Sequence, residues 1–145
     1  MHLITVFTPT YNRAYIIEKL YRSLQQQTKK NFEWIIVDDN SADNTENLIE
    51  TFMRDDNDFS IKYIKQEHGG KHRAINKALK VAEGKYFFIV DSDDQLTDNA
   101  IELINQWVTE VDSDDQICGV SGERIYPTGV YIGSKAKVSR GNYVD

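Results

Sequence analysis

The chain has 145 residues, 40% hydrophobic and 28% charged, with a formal net charge of -6. That length suits about one domain burying roughly two-thirds of its unfolded surface, and the composition excludes a disordered chain. The negative balance argues against general nucleic-acid binding, which needs a basic face, but leaves room for a local site that holds one phosphorylated small molecule.

Strand and helix signals alternate along the chain. Residues 3–8 are β-rich, and the spacing predicts that the strand stops at Pro9, which cannot donate to a ladder. Ile16, Leu20 and Leu24, flanked by Ile17 and Tyr21, form one apolar helical face. Residues 32–37 read as a second strand covered on both sides, ending in the turn composition Asp38-Asp39-Asn40-Ser41. Ser41 or Asp43 is the expected cap of a helix with Leu48, Ile49, Phe52 and Met53 inward. A polar loop at residues 55–58 leads to a third strand at 61–64. Gly69-Gly70 precede a helix with Ala74, Ile75, Ala78, Leu79 and Ala82 inward, and Gly84 is the expected C-terminal cap. Residues 86–90 form an apolar fourth strand. Thr97 or Asp98 opens a helix carrying Ile101, Ile104 and Val108. Residues 117–120 read as a fifth strand, and Tyr126-Pro127-Thr128-Gly129-Val130 as a turn between short β segments. This alternation calls for a mostly parallel sheet with helices on both faces, an α/β fold.

The single cysteine, Cys118, excludes an internal disulfide and a cysteine-rich zinc site, and fits a reducing cytoplasm. No apolar run reaches the ~18 residues of a membrane span, and no basic segment precedes the first strand as in a signal peptide.

Ligands of open parallel sheets sit beyond the carboxyl ends of the strands. Three strands end in polar clusters: Thr8-Pro9-Thr10-Tyr11-Asn12, Asp38-Asp39-Asn40-Ser41 and Asp91-Ser92-Asp93-Asp94. Turn chemistry explains any one of them; three on one edge point to a site. The last contains an Asp-x-Asp motif whose crowded carboxylates repel one another unless a cation compensates. Hard oxygen ligands suit Mn²⁺ or Mg²⁺, bound by one or two carboxylates together with substrate phosphates. The bland alternative is an acidic helix entry, and Asp94 fits that role alone. Asp38 and Asp39 read as a second metal pair or as acceptors for the imide N–H of uracil or thymine. Tyr11 is placed to stack on a base. His68-Gly69-Gly70-Lys71-His72-Arg73 puts flexible backbone and cations at a helix start, where Lys71 and Arg73 are candidates to meet phosphate. A zinc site at His68 and His72 lacks a third strong ligand nearby.

The segments Val6 through Arg13, Ile36 through Ser41 and Ala82 through Asp94 together resemble the family 2 glycosyltransferases of the GT-A (Rossmann-like) fold, over roughly residues 3 to 110. The resemblance implies inverting transfer of a sugar from a UDP- or dTDP-sugar to the hydroxyl of a saccharide or lipid-linked acceptor, in polysaccharide or glycoconjugate synthesis. By position, Pro9, Thr10 and Tyr11 should line the base pocket and Asp39 bind the base imide. Asp91 should approach the ribose or the metal, and Asp93 ligate the metal. The family's Ala-Arg-Asn is here Ala74-Ile75-Asn76, so Lys71 or Arg73 is expected to replace the missing arginine. The family's catalytic base is expected past residue 145, since Asp112, Asp114, Asp115 and Glu123 come too early. Residues 1–110 are thus expected to form the donor-binding core, and 111–145 the start of an acceptor region, in a truncated single domain that binds donor and transfers poorly or not at all.

Three rivals stand beside this reading. A receiver-type signalling domain shares the acidic pair, but here a whole βα unit precedes it. A sugar-1-phosphate nucleotidyltransferase needs a glycine- and arginine-rich loop after the first strand, where this chain has Pro9-Thr10-Tyr11-Asn12. A catalytically silent nucleotide-sugar-binding module fits the same motifs.

Overall fold

The computed structural model describes residues 4–112, 119–126, 128–130 and 132. They comprise β1 (Ile4–Thr10), α1 (Ile17–Gln25), β2 (Phe32–Asp38), α2 (Thr45–Arg54), β3 (Ser60–Lys65), α3 (Lys71–Leu79), β4 (Tyr86–Ile89) and α4 (Ala100–Val111). The four strands form one parallel sheet in the order β3-β2-β1-β4. The predicted fifth strand lies outside the described residues at 117–118, and Gly119 and Val120 are not in a strand. The chain forms two compact units, residues 1–103 and 104–145.

Sheet order explains how the strands are covered. β2 has neighbours on both sides and every residue in it is buried. β3 and β4 are the outer strands of the described sheet, and Ile89 at the end of β4 is 42% exposed. Alternation along each strand feeds two layers. On one face Phe7, Ile35 and Val37 pack with Ala74 and Ala78 of α3, joined by Ile64, Ile75, Ala82 and Phe87. The small alanines let α3 sit close to the sheet. On the other face Trp34 stacks with Tyr21 of α1 and Phe52 of α2, while its indole N–H donates to Thr8 Oγ1 at 2.9 Å. A buried Trp N–H needs such a partner.

Several local expectations are corrected. β1 continues through Pro9 to Thr10. Phe7 O accepts from Val90 N on the β4 side, and two residues on, the missing N–H of Pro9 faces the same side, where β4 has already ended. No ladder bond is lost there, so the proline is tolerated. Leu79 and Met53 are about half exposed, because the sheet face needs only a narrow helical stripe. Ser41 does not cap α2; its hydroxyl donates to Asp38 instead, while Asp43 accepts from Thr45 N–H at 3.1 Å at the helix start. Gly84 is not a helix cap either, since α3 ends at Leu79 with Lys80 as its C-cap. A Cβ on Gly84 would collide with Thr5 N and sit 2.7 Å from Ile4 C, so glycine is required for its close approach to β1.

That approach is held by Glu33, a fully buried carboxylate on β2. It accepts from Thr5 Oγ1 at 2.6 Å, Glu83 N at 2.6 Å and Gly84 N at 3.2 Å, and pairs with Lys62 at 2.9 Å. Burial works to raise its pKa, but the hydrogen bonds and Lys62 outweigh burial and hold it below the usual glutamate range. In the second unit, Gly129 adopts a positive φ and donates to Tyr126 O, and Tyr126 N donates to Val130 O, which makes the expected turn.

Candidate functional site at the carboxyl edge of the sheet

The order β3-β2-β1-β4 sets the place. The chain steps outward from β1 to β3 and returns to the other side of β1 at β4, so the topological switch point lies between β1 and β4. The loops after β1, β2, β3 and β4 therefore share one edge.

Two of these loops are tied together before any ligand is considered. Asn12, at φ 51, donates its backbone N–H to Ser41 Oγ at 2.8 Å and accepts from Ala42 N at 2.8 Å. Arg13 N donates to Thr45 Oγ1, and Ala14 N to Asp43 Oδ2. An asparagine tolerates the left-handed conformation because its short amide replaces backbone partners locally. Tyr11 is carried out of β1 by this turn and is 48% exposed.

The acidic pair divides into two different groups. Asp38 is fully buried: Oδ1 accepts from the N–H and hydroxyl of Ser41, and Oδ2 from Tyr63 O–H at 2.6 Å. Burial and this bond together push the Tyr63 hydroxyl well above its ordinary pKa. Asp38 is thus a turn anchor, and the pair does not present two carboxylates to one metal. Asp39 faces the loop after β3. Its Oδ1 accepts from Gln66 Nε2 at 2.7 Å, Gly69 N at 2.8 Å and Gly70 N at 3.2 Å; Oδ2 accepts from Gly70 N at 3.0 Å and pairs with His68 Nδ1 at 2.9 Å. Burial opposes ionisation, but these donors and the nearby His68 prevail, and the carboxyl lies below its usual range.

This placement corrects one expectation about phosphate. The backbone N–H groups of Gly69 and Gly70, at the start of α3, are given to Asp39, so that helix end already holds an anion. Gly70 has φ 83, the conformation that lets its N–H face the carboxylate. The cations that remain are side chains. Lys71 reaches across to Asp91, Nζ to Oδ1 at 2.5 Å, with both groups roughly half exposed. The stem of Arg73 folds back over Gly69, where a Cβ would strike it.

Asp91 lies in the turn directly after β4, where Asp94 N donates to Asp91 O at 3.0 Å. Ser92 is buried and Asp93 is exposed. The structure brings Lys71 to Asp91, and Tyr11 to the Asp39 loop through His68, whose ring centroid is 5.0 Å from that of Tyr11. Pro9 is half-buried and Thr10 buried, and Thr10 O accepts Asp39 N at 2.9 Å. Among the described residues no group of three histidine, cysteine or acidic side chains converges on one point. Of the two histidines considered for zinc, His68 pairs with Asp39.

Sequence reasoning missed Gln66 and undervalued His68. Gln66 is buried, and its Oε1, like Thr10 Oγ1, has no partner among the described residues. The available signal was position: Gln66 directly follows β3, the one strand end not counted among the polar clusters.

Comparison with known proteins places this geometry. Residues 5–136 match Glycosyl transferase family 2. Glycosyltransferase GlyG of Streptococcus pneumoniae is 40% identical over 113 residues, 77% of this chain and 37% of that protein. The structure of S. aureus TarS 1-349 in complex with UDP-GlcNAc aligns with a TM-score of 0.69 at 33% identity, over 77% of this chain and 32% of that one. The mannosyltransferase PcManGT from Pyrobaculum calidifontis, in complex with GDP-Man and Mn²⁺, aligns with a TM-score of 0.71 at 26% identity, over 79% and 33%. The chain spans about a third of the length of these relatives. Their parallel sheet flanked by helices is the GT-A, Rossmann-like fold found here. A parallel sheet whose switch-point loops carry the motifs of residues 6–13, 36–41 and 82–94, matched over most of its length by one family, belongs to glycosyl transferase family 2.

Proposed function

We propose that these residues bind the donor of an inverting, metal-dependent glycosyltransferase that moves a sugar from a UDP- or dTDP-sugar to an acceptor hydroxyl. The observation that carries this reading is the placement of Tyr11, Asp39 and the Lys71–Asp91 pair on one carboxyl edge of the sheet, with Tyr11 and Asp39 joined through His68. In this reading residues 1–110 form the donor-binding core and 111–145 begin the acceptor region, where a saccharide or lipid-linked hydroxyl would be presented. A cytoplasmic setting fits the nucleotide-sugar substrate and the single cysteine.

The base lies in the pocket lined by Pro9 and Thr10, stacked on Tyr11, with its imide N–H donated to Asp39. A pKa below the usual range favours this, because Asp39 stays an acceptor across physiological pH. Asp91 takes the ribose side and shares the metal, and Asp93 is its ligand. Two carboxylates, half-exposed Asp91 and exposed Asp93, fit Mn²⁺ or Mg²⁺, which completes its shell with water and substrate phosphate. When bound, the ion supplies Lewis-acid neutralisation of the diphosphate leaving group. Lys71 and Arg73 add positive charge on the same side. Lys71 leaves Asp91 for the diphosphate, so the charge that balances the acidic turn in the free protein is reused on the donor. Relatives with UDP-GlcNAc, and with GDP-Man and Mn²⁺, support a nucleotide-sugar donor and a divalent ion. No described residue is assigned as the catalytic base.

A thermal-shift panel of UDP, dTDP, GDP and ADP, each with and without Mn²⁺, tests the assignment. UDP or dTDP should raise the melting temperature, and raise it more with Mn²⁺, by ordinary linkage. A shift with GDP alone would move the donor to the guanine class, and no shift with any nucleotide would overturn the reading.

A further inference from the structure

We propose that the His68 imidazole is an internal stand-in for the donor's base, so that an incoming pyrimidine must displace it to bind; this rests on the base pocket assigned above. Two independent contacts carry the inference. The His68 ring faces Tyr11 at 5.0 Å between centroids, tilted by 44°, where a base would stack. Its Nδ1 lies 2.9 Å from Asp39 Oδ2, where an imide N–H would donate. A planar ring with an N–H at its edge is what that subsite is built to receive.

The acceptor count makes displacement necessary. A carboxylate oxygen offers about two lone-pair positions. Four donors already fill the roughly four positions of Asp39: Gln66 and Gly69 on Oδ1, His68 on Oδ2, and the Gly70 N–H shared between the two oxygens. No place remains for a base N–H unless one donor leaves. Gly69 and Gly70 donate through backbone at the start of α3, and Gln66 is 5% exposed, so none of these three withdraws without rebuilding the loop. The His68 side chain is 65% exposed and attached to a surface loop, so it rotates into water at small cost. The free protein thereby keeps its buried-edge carboxylate satisfied, and a ligand able to replace both the stacking and the donated proton is favoured over one that replaces only the stacking.

The probe is uridine alone, without diphosphate or metal, titrated into the wild-type protein and His68→Ala. Removing an internal competitor raises the population of the open pocket, and apparent affinity rises in proportion. His68→Ala should bind uridine roughly tenfold tighter and melt slightly lower, since the contacts that close the pocket also stabilise the free protein by the same factor. His68→Phe, which keeps the ring and loses the donor, should fall between the two. In the wild type the His68 imidazole NMR signals should shift on uridine saturation to those of a solvent-exposed ring. Equal or weaker binding by His68→Ala would overturn the proposal, since His68 would then be a wall of the pocket that the base touches; so would imidazole signals that do not move. If UDP with Mn²⁺ binds neither protein, the base pocket itself is wrong and the inference falls with it; uridine failing while UDP binds defeats this inference alone.

Discussion

At the scale of single residues, neighbouring carboxylates in one short motif do opposite things because their oxygens meet different donors. Asp38 is spent on Ser41 and Tyr63, and Asp39 organises the loop after β3. Asp39→Ala should therefore lose discrimination between UDP and ADP in thermal shift. It should also cost about 1–3 kcal/mol of stability from the backbone donors left without their acceptor. Asp93→Ala should keep the fold and abolish only the Mn²⁺-dependent part of the UDP shift. Retention of that part would remove Asp93 as ligand. Glu33 gives a pH prediction whose sign follows from its depressed pKa. Its stabilisation is complete above about pH 4.3, where an unfolded glutamate titrates, and is lost as pH falls through the lower folded value. Glu33→Gln should flatten this acid limb in a stability-against-pH profile measured by denaturant titration.

At the scale of elements, helix positions facing the sheet were legible from periodicity, and their exact extent was not. Leu20 and Leu24 are fully buried as the 3.6-residue pattern requires, whereas Leu79 and Met53, equally apolar, lie outside the contact stripe. A pattern read from one strand of sequence cannot tell how wide a face its partner will cover. Leu20→Ala should cost about 2–5 kcal/mol by the usual cavity effect, and Leu79→Ala well under 1 kcal/mol, both read from denaturant midpoints. Gly84 shows the complementary failure. It looked like a helix cap because glycine often ends helices, but its need for glycine comes from the backbone of β1, almost 80 residues earlier in the chain. Gly84→Ala should destabilise by roughly 1–3 kcal/mol, or more if β1 cannot shift.

At the scale of the whole molecule, the sheet order decides both stability and site. β2 and the first half of β1 are paired on both sides, while β3 and β4 are outer strands among the described residues. Amide hydrogen exchange should accordingly be slowest in β2 and in Ile4–Phe7 of β1, and faster in β3 and β4. Uniform protection across the four strands would contradict this ordering. The same order puts the switch point between β1 and β4 and so draws Tyr11, Asp39, Lys71 and Asp91 to one edge.

The sequence by itself determined the alternation of strands and helices, and hence a parallel sheet, because buried strands and amphipathic helices leave periodic marks that need no partner to be read. It also determined the acidic and aromatic residues at the strand ends, because their chemistry is local. What only the tertiary structure decided is which donors reach which oxygens. The sealing of Asp38, the occupation of the α3 start by Asp39, the Lys71–Asp91 pair and the contact of His68 with Tyr11 and Asp39 all join residues 20 to 57 positions apart or depend on such a junction. Distances of that kind are fixed by strand order and by the close approach of loops, and neither is written in any local window of the chain.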